Sequence, residues 1–212
     1  MKTKNFKTNP FVKEYVLSLE KPKKRIQPQV IIVPYGPSCV GKTTVMKVFA
    51  KKLPLVRIAN DELRILLRRR GFDVDFIEAL LERRHLLEKV AVYLLKQKLS
   101  LVIDANFASS SEHLAWAKKL IKKFNLRLFL IRVVAPKKFV ITKLNNKKWL
   151  SLKRGGLLAT RQEAVEHFLR SSKQYNYERL MPQTFLVVDS SKPIAKQVKK
   201  LVEKIRKEFT FY

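Results

Sequence analysis

Residues 30–44 read VIIVPYGPSCVGKTT, an apolar run followed by two glycines that bracket four residues and then by Lys42 and Thr43. The branched residues at 30–33 predict a buried strand, and the apolar spacing after Thr44 predicts a helix. The intervening pattern G-x-x-x-x-G-K-[ST] suits a loop that bends around phosphate oxygens while the next helix points free N–H groups at them. The stretch therefore predicts a strand, a phosphate-binding loop and a helix in succession.

This loop predicts a nucleoside triphosphate site, with ATP and Mg²⁺ as the expected cofactors. Lys42 would bridge the β- and γ-phosphates, and the Thr43 hydroxyl would reach the Mg²⁺ that neutralises them. Cys39 stands near a helix N-terminus, so a redox role and a simple space-filling role are both open. The residues expected to hold the nucleotide are Gly36, Pro37, Ser38, Cys39, Val40, Gly41, Lys42, Thr43 and Thr44.

Short apolar runs alternate with longer helical patterns along the remainder of the chain. Strands are expected near residues 30–33, 55–59, 101–104, 126–134 and 185–189. Such alternation is typical of βαβ units and of a parallel sheet covered on both faces. Capping-box spacing at Ser109–Glu112 and Thr160–Glu163 predicts helices over about 110–124 and 161–180. We therefore predict an α/β fold of three layers around a five-stranded parallel sheet.

The size and composition of the chain indicate one domain with an appendage. Residues 1–29 are interpreted as a basic N-terminal extension carrying a short helix from Pro10, and residues 30–212 as the domain. No apolar stretch is long enough for a membrane span, and residues 1–29 do not resemble a secretory signal. A single cysteine excludes an intrachain disulfide and suits a reducing compartment, so a cytoplasmic protein is expected.

The chain is strongly basic, with 46 Lys and Arg against 17 Asp and Glu and a formal charge of +29. Residues 113–162 contain fourteen basic residues and no acidic one. A positive field of this kind attracts polyanions, so nucleic acid is a candidate partner of this stretch. A solvated, lysine-rich surface without a partner is the other interpretation.

Two carboxylates follow predicted strands. In an open parallel sheet, ligands gather at the carboxyl ends of the strands, which gives polar residues there particular weight. Asp104 ends one apolar run and is expected to hold Mg²⁺ directly or through water. Asp61 follows another and is expected to accept the proton of an attacking hydroxyl, with helix capping shared with Asn60 as its alternative.

From about residue 30 to residue 148 the chain resembles the P-loop kinases, the AAA-type group of P-loop NTPases that includes 5′-polynucleotide kinases, zeta-toxin-like kinases and small-molecule kinases. The likeness rests on the loop, on the acid and arginine of NDELR at 60–64, on VIDAN at 102–106 and on LAWA at 114–117. It implies that Asp61 is the general base, that Arg64 and Asn106 position substrate, and that Asp104 lies near the metal or the acceptor.

The resemblance also implies a helical lid, placed at about 137–165, that clamps phosphates with two arginines four residues apart. Lysines Lys143 and Lys147 occupy those places here. Lysine keeps the positive charge but lacks the planar guanidinium with which arginine binds two phosphate oxygens at once. Turnover would therefore be slower unless Arg154 or Arg161 binds the phosphates in place of Lys143 and Lys147.

The predicted function is transfer of the γ-phosphate of ATP to a hydroxyl, either a nucleic-acid 5′-hydroxyl or a metabolite. A nucleic-acid-binding ATPase and a nucleotide sensor are the alternatives. Ala105 follows Asp104, where a glutamate that activates water would be expected in an ATPase. The acceptor, the choice between ATP and GTP, and the oligomeric state are left open by the sequence.

Overall fold

A computed structural model describes residues 10–71, 77–105, 111–145, 160–174 and 184–212 of the chain. The helices in these ranges are α1 (Pro10–Ser18), α2 (Lys42–Lys52), α3 (Asn60–Arg69), α4 (Ile77–Lys96), α5 (Ser111–Phe124), α6 (Lys137–Leu144), α7 (Arg161–Gln174) and α8 (Ile194–Glu208). The strands are β1 (Ile26–Gln27), β2 (Val30–Tyr35), β3 (Leu55–Ala59), β4 (Ser100–Asp104), β5 (Arg127–Val134), β6 (Leu186–Asp189) and β7 (Thr210–Phe211).

Five of these strands form a parallel sheet in the order β3-β4-β2-β5-β6. The five predicted strands are confirmed, with ends displaced by one or two residues. β2 continues beyond the predicted 30–33 because its pairing with β5 carries it through Pro34 to Tyr35, opposite Arg132. Central β2 and its neighbour β4 therefore deliver the loop after Tyr35 and the carboxylate of Asp104 to the same edge.

The core has two layers because side chains of each strand alternate between the faces of the sheet. In β2, Ile31 and Val33 pack with α3, α4 and α5, whereas Val30 and Ile32 pack with α2 and α8. Helices thus cover both faces, as the alternation of strands and helices predicted. The helix predicted at 161–180 is confirmed over Arg161–Gln174, and its capping box is present, since Thr160 and Glu163 exchange backbone-to-side-chain hydrogen bonds of 2.9 and 3.2 Å.

The segment before the domain is part of the packed structure. Helix α1 lies against α3 and α4, and its Val12, Tyr15 and Val16 are buried. Strand β1 pairs antiparallel with β7 near the other end of the chain. None of the helices in the described ranges has the length and apolarity that a bilayer span requires.

Candidate functional site

Residues 36–43, hereafter the phosphate loop, comprise the loop between β2 and α2 and the first two residues of α2. Glycine makes the backbone of this segment possible. Gly36 has φ of 139° and Gly41 has φ of 101°. A Cβ at Gly36 would lie 2.3 Å from the carbonyl oxygen of Val133, and one at Gly41 would lie 2.9 Å from Ser190 Cβ. Both glycines are therefore required by their angle and by close neighbours. Cys39 also has a positive φ, of 63°, in the middle of the loop.

The side chain of Lys42 curls over the phosphate loop. Its Nζ donates to the carbonyl oxygens of Gly36 at 2.9 Å and Pro37 at 2.6 Å. Desolvation of this ammonium lowers the pKa of Lys42 to about 8, and the nearby carboxylates of Asp104 and Asp61 offset only part of that effect. Hydrogen bonds between two charged groups are stronger than those between an ammonium and a neutral carbonyl. Phosphate oxygens can therefore replace the two carbonyls as partners of Lys42 Nζ.

Thr43 and Asp104 meet at the carboxyl edge of the sheet. The Thr43 hydroxyl donates to Asp104 Oδ1 at 3.2 Å. Burial raises the pKa of Asp104, and the charge of Arg57 counteracts this in part. These two oxygen ligands suit Mg²⁺, which usually takes one or two protein ligands and fills its octahedron with water and phosphate. Among the described residues there is no cluster of three or more acidic, His or Cys side chains that would form an all-protein metal cage.

Arg57, in the middle of β3, connects Asp104 to α3. Its Nε and Nη2 donate to Asp104 Oδ2 at 3.1 and 2.8 Å, and its Nη1 donates to Glu62 Oε1 at 2.5 Å. Burial opposes the charge on this guanidinium, but the two carboxylates outweigh it and raise the pKa of Arg57. Arg57 therefore fixes one oxygen of Asp104 and leaves the other facing Thr43.

The N-terminal helix reaches the same network through Tyr15. The Tyr15 hydroxyl accepts the N–H of Ala59 at 2.8 Å, and it donates toward Glu62 Oε2 at 3.0 Å and the Ala59 carbonyl at 3.3 Å. Burial and the charge of Glu62 raise the pKa of Tyr15 well above its usual range, so the hydroxyl stays protonated. Helix α1 thereby holds the junction at which β3 ends and α3 begins.

Asp61 lies in the first turn of α3 with its side chain 71% exposed. Arg64, one turn later and 3% exposed, places Nη2 3.5 Å from Asp61 Oδ1. Neither Asn60 nor Asp61 caps the helix, since the N-cap residue is Ala59 and makes no side-chain bond. The charge of Asp61 opposes the lowering of the Lys42 pKa and adds to the raising of the Asp104 pKa. The structure therefore brings Asp61, Lys42 and Asp104 within electrostatic reach of one another.

Helices α6 and α7 lie against the phosphate loop. Val140 and Leu144 of α6 and Ala164 and Phe168 of α7 form a small core, and Cys39 packs against it. Burial raises the pKa of Cys39, although the charges of Lys42 and Lys143 lower it in part. A partly buried thiol with a raised pKa is less reactive than an exposed one, which favours the space-filling interpretation of Cys39. The effect of Lys143 on Cys39 also shows that this predicted lid residue lies near the loop.

Helix α7 makes a direct hydrogen bond to the phosphate loop. The Ser171 hydroxyl accepts the backbone N–H of Ser38 and donates to the Phe168 carbonyl, both at 2.9 Å. Burial together with the charges of Arg170 and Lys42 lowers the pKa of His167, so His167 of α7 lies within electrostatic reach of Lys42. Of the remaining predicted site residues, Asn106, Lys147 and Arg154 lie outside the described residues.

Several residues at the site were not singled out from the sequence. Arg57 was visible only as a charge within an apolar strand, and its partners depend on the register of β3 against β4. Tyr15 had the spacing of an ordinary buried position on a short helix. The Ser190 hydroxyl also contacts the phosphate loop, because it donates to the Val40 carbonyl at 2.5 Å. No sequence pattern indicates Ser171 or Ser190, since their partners in the loop are more than a hundred residues away.

Among the solved structures that resemble the chain over most of its length are three kinases. A candidate kinase from Chloroflexus aurantiacus j-10-fl is 18% identical with a TM-score of 0.64, covering 87% of this chain and 100% of that one. The APS kinase of Mycobacterium tuberculosis, solved with AMPPNP and APS, is 19% identical with a TM-score of 0.56, covering 84% and 98%. Shikimate kinase from Acinetobacter baumannii, solved with shikimate, is 17% identical with a TM-score of 0.51, covering 85% and 93%.

At these identities the likeness shows the fold alone. No curated protein matches the chain by sequence. The AAA domain family matches residues 31–149, which include β2, the phosphate loop and the strand that ends in Asp104. Because this match covers more than half of the sequence and the three-layer architecture agrees with it, the chain belongs to the AAA domain family and has the fold of the P-loop kinases.

Proposed function

We propose that this protein is an ATP-dependent phosphotransferase that moves the γ-phosphate of ATP to a hydroxyl group. The observation that carries the proposal is the position of Asp61, an exposed carboxylate whose charge acts on both Lys42 and Asp104. An acceptor hydroxyl bonded to Asp61 would therefore lie at the same carboxyl edge of the sheet as a triphosphate held in the phosphate loop. Phosphoryl transfer needs chiefly such positioning and electrostatic stabilisation.

The proposed site residues divide into those that bind the nucleotide and those that bind the acceptor. The amides of the phosphate loop and Lys42 would bind the β- and γ-phosphates, and Thr43 and Asp104 would hold Mg²⁺, which neutralises phosphate charge when it is bound. Asp61 would orient the acceptor and take its proton, with Arg64 fixing the carboxylate through the contact described above. Lys143 would stabilise charge on the transferred group, and we assign Asn106 to the acceptor and Lys147 to the lid.

The acceptor is proposed by chemical class. A nucleic-acid 5′-hydroxyl, as in the 5′-polynucleotide kinases that the chain resembles, is favoured by the acid and arginine pair of Asp61 and Arg64 and by the charge of +29. A small metabolite is favoured by the similar folds of the APS and shikimate kinases. We place the 5′-hydroxyl first, because the basic surface gives it an added attraction that a small metabolite would not need.

The test is transfer of label from γ-labelled ATP with Mg²⁺ to a panel of 5′-hydroxyl oligonucleotides, nucleosides and metabolites. Replacing the proposed base in Asp61→Asn should lower transfer by about 10²–10⁴-fold, the usual contribution of general-base catalysis. Affinity for a non-hydrolysable ATP analogue should change little, because Asp61 is assigned to the acceptor. Glu203→Gln, at a half-exposed carboxylate on α8, is the matched control and should retain full activity.

Two results would contradict the proposal. Release of label only as inorganic phosphate, at a rate that Asp61→Asn does not alter, would indicate an ATPase. Binding of the analogue without turnover of any kind would indicate a nucleotide sensor.

A further inference from the structure

A second concave site lies away from the phosphate loop. It is a cavity of about 510 Å³ lined by Pro22, Lys23, Lys24, Lys52, Pro54, Arg206 and Phe211. Four of these seven residues are cationic and none is acidic. They come from three parts of the chain that are far apart in sequence, so the fold joins the basic segment at 21–25 to cations near the ends of α2 and α8.

The cavity lies at the opposite edge of the molecule from the predicted ATP site. Helix α2 begins at the phosphate loop with Lys42 and ends at Lys52, in the cavity wall. Its 11 residues span roughly 16 Å at 1.5 Å per residue. Pro54 directly precedes β3, so the cavity is at the amino ends of the strands, whereas Asp61 and Asp104 are at their carboxyl ends. The two sites are therefore distinct.

The cationic wall is held in place by backbone contacts. Arg25 Nη1 donates to the carbonyl of Pro22 at 2.5 Å, with the carbonyls of Lys23 and Lys24 at 3.3 and 3.4 Å, and so curls this segment around its guanidinium. Arg25 and Tyr212 also pair through their backbones at 2.7 and 3.3 Å. This part of the N-terminal extension is thus anchored, which limits the ordering that a ligand would have to impose.

Arg206 is positioned in the same way, since its Nη2 donates to the carbonyl of Lys52 at 3.0 Å. Lys52 and Arg206 lie near the ends of α2 and α8, where cations also complement the helix dipole. That role does not account for Lys23 and Lys24, which precede β1 and belong to no helix. A cavity that gathers all four cations is better explained by an anionic ligand.

Aromatic rings accompany the charges. Phe211 is half-buried in the cavity wall, and Tyr212 next to it is 60% exposed. Cations that contact a sugar-phosphate backbone, combined with rings on which bases stack, are the features that bind single-stranded nucleic acid without strong sequence preference. We propose that this cavity, with Lys23, Lys24, Lys52 and Arg206 as its cations, binds a single-stranded nucleic-acid segment. The proposal does not depend on the phosphotransferase assignment.

The experiment measures binding of a fluorescein-labelled oligothymidylate of about 12 nucleotides, within the site sizes usual for such proteins, by fluorescence anisotropy over a range of KCl concentrations. The cavity variant is Lys23→Gln/Lys24→Gln/Lys52→Gln, at three exposed positions. The matched control is Lys118→Gln/Lys119→Gln/Lys122→Gln, which removes three exposed cations from α5 and from the basic stretch at 113–162. Both variants change the net charge equally.

We expect the cavity variant to bind at least about tenfold more weakly at low salt, and the slope of log affinity against log salt to fall by about 2, since each lost contact to a single strand contributes roughly 0.7. The control should bind within about twofold of the parent protein, because it loses only long-range attraction. Retained folding is checked by the melting temperature.

Three results would overturn the proposal. Equal losses in both variants would show that total charge alone is responsible, and a loss confined to the control would place nucleic acid on the 113–162 stretch. Absence of oligonucleotide binding together with binding to vesicles of phosphatidylserine and phosphatidylcholine would assign the cavity to a membrane surface.

Discussion

Among single residues, Lys42 determines how nucleotide affinity should depend on pH. Its pKa of about 8 in the free protein means that the ammonium is charged at pH 7 and largely neutral at pH 9. Bound phosphate would raise this pKa, so binding at pH 9 must be accompanied by proton uptake. We expect affinity for an ATP analogue to be constant up to about pH 8 and then to fall by as much as tenfold per pH unit.

Calorimetry in buffers with different ionisation enthalpies measures that uptake directly. It should approach one proton per nucleotide at pH 9 and be small at pH 7, following the difference between free and bound pKa. Lys42→Arg is the control, because arginine stays charged at both pH values. The same small uptake at both pH values in the unaltered protein would show that the pKa of Lys42 does not rise from about 8 when the phosphates bind.

The role of a single residue could be predicted where its partners at the site are also close to it in sequence or follow from the general layout of a parallel sheet. Lys42 and Thr43 belong to a short pattern in which neighbours in sequence are also neighbours at the site, and Asp61 and Asp104 were found because strand ends meet at one edge. Arg57 could not be assigned, since its bond to Asp104 joins two strands whose register is set by packing of the whole sheet.

At the scale of elements, the Tyr15 hydroxyl joins α1 to the carboxyl edge of the sheet, where β3 ends and α3 begins. Tyr15→Phe keeps the buried ring and removes the acceptor for the Ala59 N–H and the donor to Glu62. We expect the free energy of unfolding to fall by ~1–3 kcal/mol, the usual cost of leaving a buried polar group without its partner. Urea denaturation followed by circular dichroism measures this difference.

Tyr212→Phe is the matched change for that measurement, because the Tyr212 side chain is 60% exposed and loses little when its hydroxyl is removed. It should alter the free energy of unfolding by less than about 0.5 kcal/mol. Equal stability of the Tyr15→Phe variant and the parent protein would mean that the Tyr15 hydroxyl contributes nothing to holding α1 in place.

The elements themselves were more predictable than their contacts. Strands β2 to β6 and helices α5 and α7 have local signals in alternation and capping, and the structure differs from them mainly at the ends. The attachment of α7 to the phosphate loop had no such signal, because Ser171 and Ser38 are 133 residues apart and meet only after α7 folds back. The same reason hid the pairing of β1 with β7.

For the whole molecule, the excess of positive charge should make stability rise with salt. With a net charge of +29, the positive side chains of the folded protein repel one another. Most of the ion pairs in the described residues join positions three to five residues apart, so they hold few distant parts of the chain together against this repulsion. Raising KCl from about 10 to 200 mM shortens the screening length from roughly 30 to below 10 Å. The melting temperature should then rise by at least about 3 °C, the shift that ~1 kcal/mol produces at this size. Potassium acetate should act equally if screening is responsible, and a falling melting temperature would show that ion pairs outweigh repulsion.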